Sequence, residues 1–512
     1  MEITDLLQWI IVLLMAFVFY AFMMSRDFWT FRRMGIPGPT PLPIVGNLMA
    51  LVGKGFREFD ISTIKMYGKV FGHFDMLSAN LVVADKEILK EILVKQFNNF
   101  IDKRTFDGYN GDLEHGLTVN RGEHWKRNRS IVTPAFSSSK LRKMVPLIQE
   151  ACDTLVKTLP HSIRAGDHGQ VELTRLFRAC TMDMISSTAF GIRVDSQGNP
   201  NDPFVMNAKK MFDFSLTGPK ILLMLFCPAL KPLLLKLGVC IFPHDSMAYF
   251  RKLTAQLLDE RRRSKNMCRE DFLQLMVDAR EGRLGKDGED EDCTAKNILL
   301  NEHHQSLTFE EILGNVELFY VAGYETTAIT LTMLSYNLAT HPECQERLRQ
   351  EIEEEIGSEP IGIDNLNKLQ YLEMCINETL RMYSPFMRFD RKCVRTTKVK
   401  DMTIPAGMVV SVPINAIHRD PEVWEKPDVF NPERFSASER AKHDPMDFLP
   451  FGHGPRGCIG TRLAYIELKM AMVAVIQNFR LLVGSKTDIP PNMVENAVLM
   501  PSSVWLKLEE IV

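Results

Sequence analysis

The arrangement of apolar and polar positions divides the chain into a short leading segment and a long globular body. Leu6 to Met24 carries no charge and is broken only by Gln8. As a helix, that run is long enough to span about 30 Å of hydrocarbon, so it predicts a membrane crossing. Downstream, Thr308-Phe-Glu-Glu311 forms a capping box and opens a helical pattern that continues to His341, before Pro342. A further helix is predicted from Thr461 to Gln477. Strand signals are short, at Lys69 to Leu77 and Leu81 to Ala84, and Thr403 to Pro413 reads as a hairpin turning around Pro405-Ala-Gly407. The rest reads as mainly helical. Few, separated strands predict a mainly α chain with small β-sheets.

Three stretches depart from that pattern. Ile36 to Asn47 places prolines at 37, 39, 41 and 43, which stiffen the backbone into an extended strut behind the apolar leader. Phe214 to Pro243 is unusually apolar, but Pro228, Lys231, Pro232 and Lys236 argue against a second crossing. It reads either as a patch dipping into the bilayer surface, which would give oily substrates a way in, or as a buried helix pair. Glu281 to Gln305 holds the acidic run Asp287-Gly-Glu-Asp-Glu-Asp292, a solvated loop, and His303-His304, which lack partners for a metal site.

Composition narrows the class. The 512 residues are 45% hydrophobic and 24% charged, enough for a large globular core, and no repeat or linker divides them after the first fifty. We therefore expect an anchor at residues 1–35 and a single catalytic domain at residues 36–512. A net charge of -3 gives no support to a nucleic-acid role. Ten scattered cysteines without a C-x-x-C pair argue for reduced thiols in a cytosol-facing domain. Glu2 and Asp5 precede the apolar run, whereas Arg26, Arg32 and Arg33 follow it, so the positive-inside rule places the body in the cytoplasm. A cleaved signal peptide fits poorly, because basic residues would come first and the apolar core would be shorter.

The candidate chemistry centres on Phe451-Gly-His-Gly-Pro-Arg-Gly-Cys-Ile-Gly460. Gly452, Gly454, Gly457 and Gly460 would let this loop wrap closely beneath a flat ligand. Amides at the start of the following helix would point at the Cys458 sulfur and favour a thiolate, and Arg456 adds positive charge or reaches an anionic group. Trp125 and Arg129, four apart on one helix face, could both donate to a carboxylate, although spacing alone suits an ordinary basic surface helix. In Ala322-Gly-Tyr-Glu-Thr-Thr327, the Thr326 hydroxyl can compete for the Ala322 carbonyl and loosen the helix ladder. Glu378 and Arg381 are spaced to pair on a helix, and Asn431-Pro-Glu-Arg-Phe435 supplies Arg434.

F-x-x-G-x-R-x-C-x-G, A-G-x-E-T, E-x-x-R and the W-x-x-x-R pair occur together and in order. On these motifs the chain resembles the cytochrome P450 haem-thiolate monooxygenases over essentially its whole length. It is most similar to animal microsomal members related to the drug- and steroid-oxidising group and to thromboxane synthase. The resemblance implies the cytochrome P450 fold behind an N-terminal transmembrane anchor in the endoplasmic reticulum, with the catalytic domain in the cytoplasm. It implies haem b with Cys458 as the axial ligand of iron, a thiolate that favours O–O cleavage. Trp125, Arg129 and Arg391 would contact the propionates, with Arg388 and Lys103 or Arg104 as further candidates. Phe451, Arg456, Ala322 and Gly323 would adjoin the macrocycle. Thr326 would hold a reduced oxygen species or its water, and Glu325 would relay protons. Glu378, Arg381 and Arg434 would form a buried scaffold.

The implied reaction inserts one oxygen atom of O2 into a lipophilic substrate, a steroid, lipid or xenobiotic. Electrons would come from an NADPH-cytochrome reductase, with cytochrome b5 as a further candidate donor. Lys126, Arg127, Lys140, Arg142, Lys143 and Lys469 would form its landing area. Two rivals differ in class: a lipid-peroxide isomerase or dehydratase that needs no reductase, and a haem carrier with two protein ligands to iron.

Overall fold

Helices make up most of the architecture, and one of them, buried on nearly every side, runs through the centre. The computed structural model describes residues 14–15, 29–43, 45–211, 224, 230–263, 271–280 and 306–511. The helices that position the site are α1 (Leu48–Tyr67), α2 (Gly122–Val132), α3 (Ser138–Ala165), α4 (Leu173–Ile185), α5 (His244–Arg263), α6 (Phe309–Thr340), α7 (Gln370–Met382) and α8 (Thr461–Asn478). Thr308 caps α6 as predicted: its hydroxyl accepts from the Glu311 amide at 3.2 Å, and Glu311 accepts from the Thr308 amide at 3.0 Å. An uncapped start would leave those amides unpaired. With no polar stripe to turn outward, α6 is buried along most of its length between α4, α7 and α8.

The strands gather on one side. β1 (Val70–Asp75), β2 (Ser78–Val83), β7 (Val409–Pro413) and β4 (Arg388–Lys392) form a four-stranded sheet in that order, with β2 and β7 parallel. β3 (Gln170–Glu172), β11 (Trp505–Glu510) and β8 (Phe479–Leu482) form a second sheet. Two small pairs complete the set, β5 (Thr397–Val399) with β6 (Met402–Ile404), and β9 (Met493–Glu495) with β10 (Leu499–Pro501). The hairpin expected over Thr403 to Pro413 is not formed. The turn at Gly407 exists, with φ +86°, but its arms part: β6 turns back onto β5, whereas β7 enters the large sheet. All five residues of β7 are buried, which suits a central strand rather than a hairpin arm.

The proline strut is pinned to β1. Gly72 donates its amide to the Pro37 carbonyl at 2.9 Å, and the Asn47 side chain accepts from the Phe74 amide at 2.9 Å while donating to Thr40 at 3.1 Å. The predicted membrane span lies almost wholly outside the described residues, as do Glu281 to Gln305 and most of Phe214 to Pro243 up to residue 229. Among the described residues no helix is long and apolar enough to cross a membrane.

Candidate active site

The cysteine loop is shaped by two glycines rather than four. Gly452 and Gly454 have φ of +68° and +77°, and a methyl on Gly454 would lie 2.2 Å from the Leu93 carbonyl oxygen. Gly457 and Gly460 keep ordinary backbone angles; a methyl on Gly457 would lie 3.1 Å from the Gly454 carbonyl oxygen, whereas one on Gly460 would meet nothing closer than 3.9 Å. The loop closes on itself where the Cys458 amide donates to the Phe451 carbonyl at 2.8 Å and Thr461 donates to the Cys458 carbonyl at 3.1 Å. Cys458 is exposed, whereas every other described free cysteine is buried. The expected amide contacts to its sulfur are not formed among the described residues. The Phe451 ring packs on Tyr465 at 5.6 Å.

His418 holds the approach to this loop. Its Nε2 accepts from the Leu449 amide at 2.8 Å, and its carbonyl accepts from Arg381 at 2.8 Å. Burial and the nearby Arg381 and Arg419 push the imidazole down to about 3, so the ring is neutral and its acceptor nitrogen is available. No sequence spacing pointed to this histidine, because its partners are 31 and 37 residues away.

Four cations converge near the loop; Asp390 and Asp102 act on them, but none of the four forms an ion pair among the described residues. Burial pushes Arg391 down to about 10 and Arg456 down to about 9, with Arg391 repelling the latter. Lys103 falls to about 7 through burial and the charges of Arg391 and Arg456. Arg129 is also lowered by burial, opposed by Cys458. The Nε atoms of both Arg391 and Arg456 are buried and lack a partner among the described residues. Arg456 stacks over the Trp125 ring at 4.6 Å and donates to the carbonyls of Thr118 and Asn120. Such a set fits a dianionic, planar ligand, which would neutralise the repulsion and pair the orphaned donors. Of the further candidates, Arg388 is committed to Asp60, with Nε 2.6 Å from Oδ2, and Arg104 to Asp75 at 2.6 Å. Lys103 is therefore the member of its pair that joins the cluster.

In α6, the Thr326 hydroxyl donates to the Ala322 carbonyl at 2.6 Å. Ala322 is exposed although Tyr320, Tyr324 and Ala328 around it are buried, so α6 faces an open space there. Gly323 does something different: a methyl on it would lie 2.7 Å from Ile185 Cδ1, so it permits close packing of α6 on α4. Glu325 is buried and paired with Arg178 of α4, a partner that sequence spacing could not reveal. Two residues on, Thr327 donates to Glu467 of α8 at 3.2 Å.

The scaffold forms as expected. Arg381 Nε and Nη2 donate to the two oxygens of Glu378 at 2.7 and 2.8 Å, both side chains being fully buried, and Arg434 Nε reaches Glu378 at 3.3 Å. The expected basic landing area is revised at one position: Lys469 is buried, donating to Glu373 at 3.0 Å and to the Leu366 carbonyl at 3.1 Å. Arg127 is tied to Glu311 and Arg142 to Asp364 at 2.9 Å; Arg142 and Lys143 are exposed.

Comparison with known proteins places the whole body of the chain. The family model described as cytochrome P450 matches residues 36–506. The chain is 39% identical over 473 residues to cytochrome P450 3A2 of Rattus norvegicus, covering 92% of this chain and 90% of that protein. It is 37% identical over 488 residues to cytochrome P450 3A7 of Homo sapiens, covering 95% and 93%. Cytochrome P450 3A13 of Mus musculus is 36% identical over 478 residues, covering 93% and 91%.

Proposed function

Because the chain belongs to the cytochrome P450 family and is a haem-thiolate monooxygenase, we propose that Cys458 is its iron ligand and that an NADPH-dependent reductase supplies the electrons. The substrate is a lipophilic molecule into which one atom of O2 is inserted. One observation carries the assignment of the ligand: among the described cysteines only Cys458 is exposed, and it lies close enough to Lys103 and Arg129 to act on their charge. Haem bound here supplies the iron that activates dioxygen, with thiolate donation favouring O–O cleavage.

The chain's own residues then divide the work. Trp125, Lys103, Arg129, Arg391 and Arg456 would hold the propionates of the haem by charge-assisted hydrogen bonds. Phe451 closes the loop around the ligand cysteine. Ala322 leaves α6 exposed where the haem and its oxygen would have to fit, and Gly323 lets α6 sit close to α4. Thr326 holds a proton at Oγ1, which can turn from the Ala322 carbonyl toward a water. Glu325 passes protons to it when Arg178 loosens. Cytochrome b5 is a further candidate donor, and the exposed face with Arg142 and Lys143 is the docking side.

In this reading residues 1–35 anchor the protein in the endoplasmic reticulum membrane and residues 36–512 form the cytoplasmic catalytic domain. The deciding experiment is reduction of the purified protein under carbon monoxide. A Soret band typical of a thiolate adduct, lost in Cys458→Ala, is expected; an unchanged band in the variant overturns the ligand assignment. Turnover of a lipid peroxide without NADPH and reductase would instead establish the isomerase alternative.

A further inference from the structure

We propose that Asp102 is a positioning residue for the haem, a side chain that registers the separate chain segments whose cations hold the propionates. The proposal rests on the propionate reading above and extends it to a residue outside the cluster itself. Asp102 is half-buried and bonds to two elements at once. Its main-chain carbonyl accepts from the Lys392 amide at the end of β4, at 2.7 Å, and its Oδ1 accepts from the Gly122 amide at the start of α2, at 2.9 Å.

The first bond sets Lys103 against Arg391. Asp102 and Lys392 form an antiparallel bridge, and two residues on the Arg104 amide donates to Asp390 Oδ1 at 3.0 Å, so the register continues and puts Lys103 opposite Arg391. Residues directly opposite in such a pair lie about 4.5–5.5 Å apart at Cβ, and like charges there repel. An anion shared between the two side chains removes that repulsion, and a propionate is such an anion.

The second bond sets α2. Arg121, just ahead of its first turn, has no side-chain acceptor to offer the helix and is held by Asp107 at 2.6 Å. Asp102, 20 residues upstream, supplies the missing cap. A carboxylate there satisfies a free amide and sits at the positive end of the helix dipole. Trp125 lies in that first turn and Arg129 one turn further, so the cap fixes where both emerge. Arg456, stacked over the Trp125 ring at 4.6 Å, feels the Asp102 charge, which favours its protonated form. Asp102 thereby acts on every segment that contributes a propionate cation, by a bond or by its charge. The charges then balance, with Lys103, Arg129, Arg391 and Arg456 facing Asp102, Asp390 and two propionates.

Two variants separate the cap from the charge. Asp102→Asn keeps an oxygen for the Gly122 amide and loses the charge, whereas Asp102→Ala loses both. Each holoenzyme is compared with wild type by haem transfer to excess apomyoglobin and by reductive titration of the haem. The alanine variant should release haem about fivefold faster, the size of a lost cap, and the asparagine variant at a rate within about twofold of wild type. Loss of a nearby negative charge eases electron uptake, so at a fixed potential the asparagine variant should show a ratio of reduced to oxidised haem about threefold higher. A purely structural role would leave that ratio unchanged. Release from the alanine variant at the wild-type rate, release from the asparagine variant beyond about fivefold, or an unshifted potential in the asparagine variant overturns the proposal. If the alanine variant takes up no haem, the asparagine variant still decides by its potential and its release rate. A thiolate carbon monoxide band in wild type beside any of those results sinks this proposal alone, whereas absence of that band from wild type sinks the functional reading.

Discussion

Arg178 reaches from α4 to the carboxylate of Glu325 in α6, its Nε donating at 2.9 Å and its Nη2 to the same oxygen. The acid next to Thr326 is thus an ion pair rather than a free group, and the pair ties α4 to α6. Removing Arg178 leaves a buried carboxylate without its donor, which costs about 1–3 kcal/mol. Arg178→Ala should lower the unfolding free energy by that amount, and Arg178→Ala with Glu325→Gln should cost less than the two single changes added. Strict additivity in the double-mutant cycle would deny the coupling.

A second prediction concerns the hydroxyl one residue on. Thr326 makes its bond to Ala322 within its own helix, so Thr326→Ala removes one local contact and leaves the cation cluster and the cysteine loop untouched. The variant should keep its haem and its carbon monoxide spectrum. Product formed per NADPH consumed should fall by about a hundredfold, the lower end of the range for a lost proton donor, with hydrogen peroxide making up the difference. Thr326→Ser, which retains the hydroxyl, should recover most of the coupling. Full coupling in the alanine variant would remove Thr326 from proton delivery.

What could be read from sequence follows the distance between partners. The Thr308 capping box, the Thr326 bond to Ala322 and the Glu378–Arg381 pair all lie within one helical turn, where spacing alone sets contact. The cation cluster was only partly legible. Arg129 and Arg456 came with motifs and Arg391 with the family resemblance, but choosing Lys103 over Arg104 required seeing Asp75 take the latter. Arg178, His418 and Glu467 escaped entirely because each meets its partner across a long stretch of chain. Lys469 shows the converse error: a lysine on a helix suggested surface, yet Glu373 and a carbonyl hold its ammonium inside. The unformed hairpin had a readable warning in Val409-Val-Ser-Val-Pro413, whose lack of alternation marks a strand covered on both faces.

The Glu378, Arg381 and Arg434 network should behave as scaffold. Arg381 donates to both Glu378 oxygens and also to the carbonyls of His418 and Pro427, each at 2.8 Å, so its guanidinium fork joins four acceptors. Breaking a buried pair by deleting one partner costs about 3–5 kcal/mol. Arg381→Leu should therefore accumulate as protein with little haem, measured as the ratio of haem to protein absorbance. Arg381→Lys should not rescue it, because an ammonium cannot span the same acceptors. Normal haem content in either variant would contradict a scaffold role.

Glu467 sets a pH dependence whose sign can be worked out. Its carboxyl is buried in α8 and pushed up to about 8 by loss of water, an effect the Thr327 hydroxyl opposes. Unfolded, the group ionises near 4.5, so between about 4.5 and 8 the folded chain binds more protons than the unfolded one. Stability from this group accordingly falls as pH rises through that window, by about 1.4 kcal/mol per unit at most, and the loss is complete above the folded value. Glu467→Gln keeps an acceptor for Thr327 and cannot ionise. Measured by urea unfolding, the variant should be more stable relative to wild type at pH 8 than at pH 5, by several kcal/mol before any relaxation of the site. An offset that is the same at both pH values would mean that Glu467 reaches water in the folded protein and ionises as it does unfolded.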